Sequence, residues 1–265
     1  MERQARRWVW LALVVLVWAM GGAAGWAAEE EAGRLHFVGT FEDQVKPEMM
    51  EAYMKGAVAS ARLSAEYKGE MPYLTFVNGF KVFSCGIFTK FAQLDDFNQR
   101  MEAWNQKTGG KAEQINRQIA KCVSTCATSI MVFRPDLSYM PENPAFVPDF
   151  SKPFYQVATF YHVKQDQHDQ AQEVARKIKA LKEKNKSPMG WWAYECVFGL
   201  EVPTFIEIAQ AKDKAAFVEL DQKIQANADP ALEKLFAEGA AVLTKIETRE
   251  GTFVPEASYV PEGTF

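Results

Sequence analysis

Histidine is scarce in this chain, with three residues in 265, and cysteine is hardly more common, with four. Motifs that hold reactive groups at fixed spacing are missing too: there is no G-x-S-x-G, no H-E-x-x-H, no Walker loop and no dinucleotide fingerprint. No catalytic signature is therefore written in the sequence. A basic face is lacking as well. Lys and Arg number 30 against 34 Asp and Glu, for a net charge of −4 and a pI near 5.6, which speaks against nucleic acid or anionic lipid as partners. Beyond the first 28 residues no run is long or apolar enough to span a membrane. What is plentiful is core material: 48% of the residues are hydrophobic, enough for one large core or two modest ones.

The first 28 residues stand apart from the rest. "MERQARR" carries Arg3, Arg6 and Arg7, "WVWLALVVLVWAM" is an apolar run, and "GGAAGWA" places small residues where cleavage after Ala27 requires them. These are the three parts of a secretory signal peptide. Residues 1–27 are expected to be removed, leaving a periplasmic or secreted protein with no stable membrane association. Their loss takes away three arginines and one glutamate and moves the net charge to −6. Left uncleaved, Trp8 to Ala28 is just long enough to cross a bilayer of about 30 Å.

The most informative positive feature is an echo. "PDLSYMPE" at 135–142 returns as "PEASYVPE" at 255–262, with Pro135/Pro255, Ser138/Ser258, Tyr139/Tyr259, Pro141/Pro261 and Glu142/Glu262 identical. Followed backwards, "FVGTF" at 37–41 answers "QVATF" at 156–160, Gly79 answers Gly199, Phe97 answers Phe217, Glu113 answers Glu233 and Phe133 answers Phe253. The offset holds at 119–120, so the chain after the leader is two copies of one module, residues 35–142 and 154–262. That period is too long for a solenoid repeat. Residues 143–153, "NPAFVPDFSKP", carry three prolines and form the linker.

Each module has the same order. Residues 35–45 and 154–164 are rich in aromatic and β-branched residues and predict first strands. Met50, Tyr53, Met54, Ala57, Val58 and Ala61 then recur at helical spacing, as do Ala171, Val174, Ala175, Ile178 and Leu181. "PYLTFVNGF" with "KVFSCGIFTKF", and "MGWWAYECVFG" with "TFIEIAQAK", predict a hairpin in each copy, Asn78-Gly79 lying near the first bend. Two helical stretches follow, one around Leu94, Phe97, Met101 and Trp104 and one around Ile115, Ile119, Cys122, Val123 and Cys126, before a last strand near 129–134. Their counterparts run through Phe217, Leu220 and Ile224, then Leu232, Leu235, Phe236, Val242, Leu243 and Ile246.

The order β-α-β-β-α-(α)-β is that of a ferredoxin-like α+β sandwich, with helices on one face of an antiparallel sheet. In "WWAYECVF" both alternating sets are apolar apart from Glu195: Trp192, Tyr194, Cys196 and Phe198 on one face, Trp191, Ala193 and Val197 on the other. A sheet with one wet face should alternate apolar with polar. The second face therefore needs cover. The simplest cover is the other copy's sheet, giving two tandem ferredoxin-like modules with antiparallel sheets packed face to face, an internal pseudo-dimer able to stand as a monomer.

The strand and helix order, the duplication, "FYHVKQDQHDQAQEVARKIKAL" and "GWWAYECVFG" followed by "PTFIEIAQAKDKAAF" resemble the dimeric α+β barrel superfamily, which includes antibiotic-biosynthesis-monooxygenase-like and NIPSNAP-like proteins. The resemblance implies a fused barrel in which the chain after each last strand reaches over the partner module, so that the two echoed segments are symmetry-related arms anchored by Tyr139 and Tyr259. It also implies a ligand pocket between sheet and helices. In the second module the wall would be Trp191 or Trp192, Tyr194 and Phe160; in the first, Tyr73, Phe76 and Phe41. Such an aromatic wall suits a small, flat, apolar ligand, and the same residues serve equally as core. Haem enzymes resembling chlorite dismutase use one histidine as iron ligand, which would fall to His162 or His168; His36 is the third histidine. No cofactor is named by the residues themselves. Whether the protein binds its ligand without turnover, or is a cofactor-independent monooxygenase or a haem enzyme, stays open at this stage. Cys122 and Cys126, four apart on a predicted helix, are expected to be buried free thiols, while Cys85 and Cys196 lie on central strands of different copies, where a bridge is conceivable.

Overall fold

The computed structural model describes residues 37–88, 93, 96–227 and 229–264; the expected signal segment, His36 and Leu94 lie outside them. Half one runs β1 (Phe37–Val45), α1 (Met50–Glu66), β2 (Tyr73–Asn78), β3 (Lys81–Phe88), α2 (Phe97–Lys107), α3 (Lys111–Cys122) and β4 (Val123–Phe133). Half two repeats it: β5 (Tyr155–Val163), α4 (His168–Lys184), β6 (Trp192–Phe198), β7 (Thr204–Ala211), α5 (Lys214–Ala226), α6 (Pro230–Val242) and β8 (Leu243–Phe253). Local chemistry sets the helix starts in half two. The Asp213 carboxylate accepts from the Ala216 N–H at 2.8 Å, and Asp229 accepts from Ala231 at 2.9 Å with Pro230 in the first helical position.

All eight strands close into one antiparallel barrel in the order β1-β3-β2-β8-β5-β7-β6-β4. Each half contributes the ferredoxin-like order, fourth strand, first, third, second. The two sheets face each other as opposite walls, and their edges are joined at two seams. One seam pairs Phe76 with Phe253 and Val77 with Thr252; the other pairs Val132 with Glu195 and Phe133 with Tyr194. The seams are short, so the first parts of β4 and β8 pair along β1 and β5 only, and just their last residues reach the opposite sheet. The face that needed cover in "WWAYECVF" is covered as expected, since Cys196 and Tyr194 pack inside the barrel with Phe160 and Ile206 of half two and Val38, Met131 and Cys85 of half one. One barrel end is filled by Phe76, Phe154 and Phe253, with the linker's Phe146 and Phe150 laid over them. Phe154 and Phe253 stack with centroids 4.7 Å apart.

The echoed segments cross between halves. Tyr139 and Trp191 exchange backbone hydrogen bonds of 3.0 and 2.8 Å, and Tyr259 and Tyr73 exchange two of 2.9 Å. Ser138 Oγ accepts from the Ala193 N–H at 2.8 Å, and Ser258 Oγ accepts from the Thr75 N–H at 2.9 Å. Each serine also donates to the carbonyl four residues back, Arg134 or Val254, at 2.8 Å. The same five residues recur because both arms make the same backbone contacts.

Two sequence expectations change. The last helices stop at Cys122 and Val242, not at Cys126 and Ile246, and the last strands begin at once with Val123 and Leu243. Spacing alone fitted a helix, but "VSTCATSIMVF" is rich in β-branched side chains, and pairing along β1 and β5 outweighs helical periodicity. Cys126 is consequently an exposed strand residue and not a buried helical thiol; Cys122 is buried, and all four thiols are free. The internal alignment also slips by one. Val45 and Val163 occupy the same bulge, opposite Val123 and Leu243, so the first strands are related by 118 positions. Phe41 is the equivalent of Thr159, and Phe160 that of Glu42. A one-residue slip turns every side chain to the opposite face.

Candidate functional site

In half two a cavity of about 600 Å³ lies between the outer face of the sheet and helices α4, α5 and α6. Alternation supplies its floor, with Val157, Thr159 and Tyr161 of β5 and Phe205, Glu207 and Ala209 of β7 all pointing to the helix side. A stripe at spacings of three and four on α4, from Ala171 through Val174 and Ile178 to Lys182, supplies one wall. Gly239 on α6 supplies space. In half one its place is taken by Ile119, which packs so closely on Gly56 that a Cβ there would meet Ile119 Cγ1 at 2.7 Å. A Cβ on Gly239 would meet nothing nearer than Val174 Cγ1 at 3.5 Å. The lip is apolar and open, with Phe236 and Ile246 53% and 54% exposed.

The polar groups on this wall are few and placed. Tyr161 Oη donates to Glu207 Oε2 at 3.0 Å. Burial raises Glu207 above the ordinary carboxylate range, against the pull of the Tyr161 hydrogen bond and of Lys182. Burial, reinforced by Glu207, likewise raises the Tyr161 phenol. Lys182 shifts the other way: burial lowers its ammonium, although Asp221 and Glu207 attract the charged form. Ser187 is only 6% exposed, and its hydroxyl has no hydrogen-bond partner. Its carbonyl is held by Tyr139 Oη at 2.8 Å, and Trp191 Nε1 donates to Leu137 O at 3.0 Å. The arm of half one thus builds part of half two's cavity.

The residues expected at the pocket separate. Trp191 lines the large cavity. Trp192 is next to it in sequence and therefore on the other face of the strand, where it borders a small groove under the linker with Pro144, Phe146 and Ile208, while Tyr194 and Phe160 pack inside the barrel. Tyr73 lines a smaller cavity of about 280 Å³ in half one, beside Ser60, Ser64, Trp104 and Asn116. Phe76 is barrel-end core, and Phe41 lies on the outer face, 37% exposed. Glu207 and Lys182 were missed. Their signals were present: an isolated acid between two isoleucines in "TFIEIAQA", and a lysine at the end of an otherwise apolar helix stripe.

A histidine-held haem does not fit this site. His162 faces the barrel interior, its Nε2 3.1 Å from Glu247 and its Nδ1 3.1 Å from Thr204 Oγ1. His168 is engaged by Glu195 at 2.8 Å and stacks on Phe205. Neither ring borders either cavity. Among the described residues no three His, Cys, Asp or Glu gather as a metal site, and no helix is long and apolar enough to cross a membrane.

No family model matches the sequence, and no curated protein matches it either. Solved structures do resemble the fold. An anthrone oxidase-like protein aligns with a TM-score of 0.55 at 13% identity, over 86% of this chain and 92% of its own. A candidate monooxygenase from Lactobacillus acidophilus aligns with a TM-score of 0.52 at 9% identity, over 86% and 97%. A mutant chlorite dismutase from Candidatus Nitrospira defluvii aligns with a TM-score of 0.51 at 12% identity, over 83% and 92%. The chain has the dimeric α+β barrel fold of these proteins, with both halves in one polypeptide.

Proposed function

We propose that this is an exported protein that binds a small, largely apolar, aromatic ligand in the cavity of half two, with the Tyr161–Glu207 pair meeting the ligand's polar end. The observation that carries this is an apolar space of about 600 Å³ with a hydrogen-bonded carboxyl on its wall. Trp191 offers a built-in reporter. Titrating the purified protein with 2-methylnaphthalene and with 2-naphthol should quench Trp191 emission, the naphthol binding more tightly because its hydroxyl meets Glu207. Gly239→Leu should abolish binding while leaving thermal stability unchanged or higher, since the site has room for a side chain and a helix interior favours leucine over glycine. Unimpaired binding by Gly239→Leu would place the ligand elsewhere.

Oxygenation without a cofactor is the alternative activity. Its support is the same pair: a carboxyl raised by burial and held by a phenol can remove a proton from an acidic ligand, and the fold is shared with an anthrone oxidase-like protein. Oxygen uptake with anthrone that is lost in Glu207→Gln, with binding retained, would establish turnover. Export rests on residues 1–27, and the N-terminus of the exported protein should begin at or near Ala28.

A further inference from the structure

Lys182 differs from the basic residues that precede it on α4. Arg176 reaches Asp136 at 3.0 Å, Lys177 reaches Glu173 at 2.7 Å, and Lys179 reaches Glu183 at 3.9 Å and two backbone carbonyls. The Lys182 amine makes no hydrogen bond or ion pair among the described residues, and it lines the cavity together with Glu207, Asp221 and Ser187. The helix repeat explains the placement. It continues the stripe of Ala171, Val174 and Ile178, so its methylene stem follows the apolar wall. The equivalent position in half one, 118 residues earlier, is Ser64; the lysine on that cavity's wall is Lys107, whose amine donates to Lys68 O at 3.4 Å and lies over the Trp104 ring. An unpaired lysine in an apolar pocket beside a carboxyl is the arrangement that amine nucleophiles need.

We propose that the Lys182 amine captures apolar aldehydes or ketones in this cavity as a reversible imine. The proposal rests on the cavity being the ligand site and names the ligand class it takes. The chemistry balances without a redox partner. The neutral amine adds to the carbonyl carbon, and the N–H proton passes to the oxygen, giving a carbinolamine. Glu207, whose carboxyl burial keeps protonated to higher pH, donates its proton to the departing hydroxyl, which leaves as water. The resulting iminium returns its N–H proton to the Glu207 carboxylate. Burial also leaves more of the Lys182 amine neutral than in a surface lysine. Ser187, with its unpaired hydroxyl on the same wall, is placed to hold the carbonyl oxygen during addition.

The test uses 2-naphthaldehyde with cyanoborohydride, which reduces an imine to a stable amine. The expected product is one naphthylmethyl adduct per chain, mapped to Lys182 by peptide mass spectrometry. Lys182→Met and Lys182→Arg should both lose this adduct while still binding 2-methylnaphthalene by Trp191 quenching; the arginine keeps the charge and the stem, which guards against a folding defect in the methionine variant. Glu207→Gln should slow adduct formation by about 100-fold, the scale of a lost general acid. Adducts spread over surface lysines, or labelling unchanged in Lys182→Arg, would overturn the proposal. Binding of 2-methylnaphthalene without any aldehyde adduct removes the imine but keeps the cavity as the ligand site. Absence of both removes both.

Discussion

Replacing Ser138 by alanine removes one oxygen and tests whether the arms hold the two halves together. The hydroxyl accepts from the Ala193 N–H at 2.8 Å and donates to Arg134 O at 2.8 Å. Arg134 O keeps two other donors, the backbone N–H groups of Leu137 and Ser138 at 3.1 and 3.0 Å, so it is not stranded. The Ala193 N–H is. It lies beneath a serine that is only 7% exposed, where water does not reach. An orphaned buried donor costs about 1–3 kcal/mol. For a chain of this size, each kcal/mol lowers Tm by about 2–4 °C, so the expected drop is about 2–12 °C. Ser258→Ala makes the internal control. It strands the Thr75 N–H, but Ser258 is half-buried, and Thr75 Oγ1 still holds the arm by donating to Ala257 O at 2.7 Å. Its cost should be smaller, about 0.5–1.5 kcal/mol. Urea and thermal unfolding followed by circular dichroism would measure both. The double variant should equal the sum of the singles within about 0.5 kcal/mol, because the sites share no partner. A Ser138→Ala protein as stable as the parent, or a costlier Ser258→Ala, would refute the account.

Acid should weaken the fold through Glu247. The hydrogen bond from Lys245, aided by His162 and Arg249 and opposed by burial, holds its carboxyl at about 2. The folded value lies below the unfolded one near 4.3, so this stabilisation is present above about pH 4 and is lost as pH falls toward 2; urea midpoints of Glu247→Gln should fall less over that range than those of the parent. Gly199→Ala should be far costlier than Gly79→Ala, by at least about 2 kcal/mol in unfolding experiments. Both glycines have positive φ, but a Cβ on Gly199 would sit 2.0 Å from Thr128 O, whereas nothing lies within 4 Å of one on Gly79. Cys126, although exposed, should react with iodoacetamide at pH 8 at least about tenfold more slowly than a cysteine peptide, because burial and then the Asp43 carboxylate raise its thiol to about 12. Asp43→Asn should restore part of the rate.

The duplicated strand and helix order, the doubly apolar "WWAYECVF" strand and the repeated arm segments were legible in the sequence, because each depends on alternation or on repetition; that the arms cross between halves came only from the resemblance to the barrel superfamily. Face assignment was less so. Phe41 and Phe160 match as letters at an offset of 119, yet the bulges at Val45 and Val163 put the true offset at 118, and no side-chain pattern records a bulge. Trp191 and Trp192 show the same limit, since adjacent strand residues face opposite sides and only pairing decides which side carries the helices. The helix ends failed where Cys122, Val123 and Cys126 suited either period. Glu207 and Lys182 come together from a strand and a helix 25 residues apart, and only the packing of α4 on β7 reveals that they share a wall.

In a barrel made of two identical chains, every substitution is written twice, and an arm cannot change without altering both of the pockets it serves. Here Leu137 and Tyr139 belong to one arm, Leu137 lining the cavity of half two and Tyr139 holding Ser187 on its wall, while Tyr259 pairs with Tyr73 of half one. Fusion has released the two sites from each other. Half one could close its helices around Ile119 as half two opened a space at Gly239, and a lysine could enter one wall while its counterpart remained a serine. A tandem chain of this kind can keep one half as scaffold while the other acquires chemistry, with the scaffold still supplying a wall of the site it no longer duplicates.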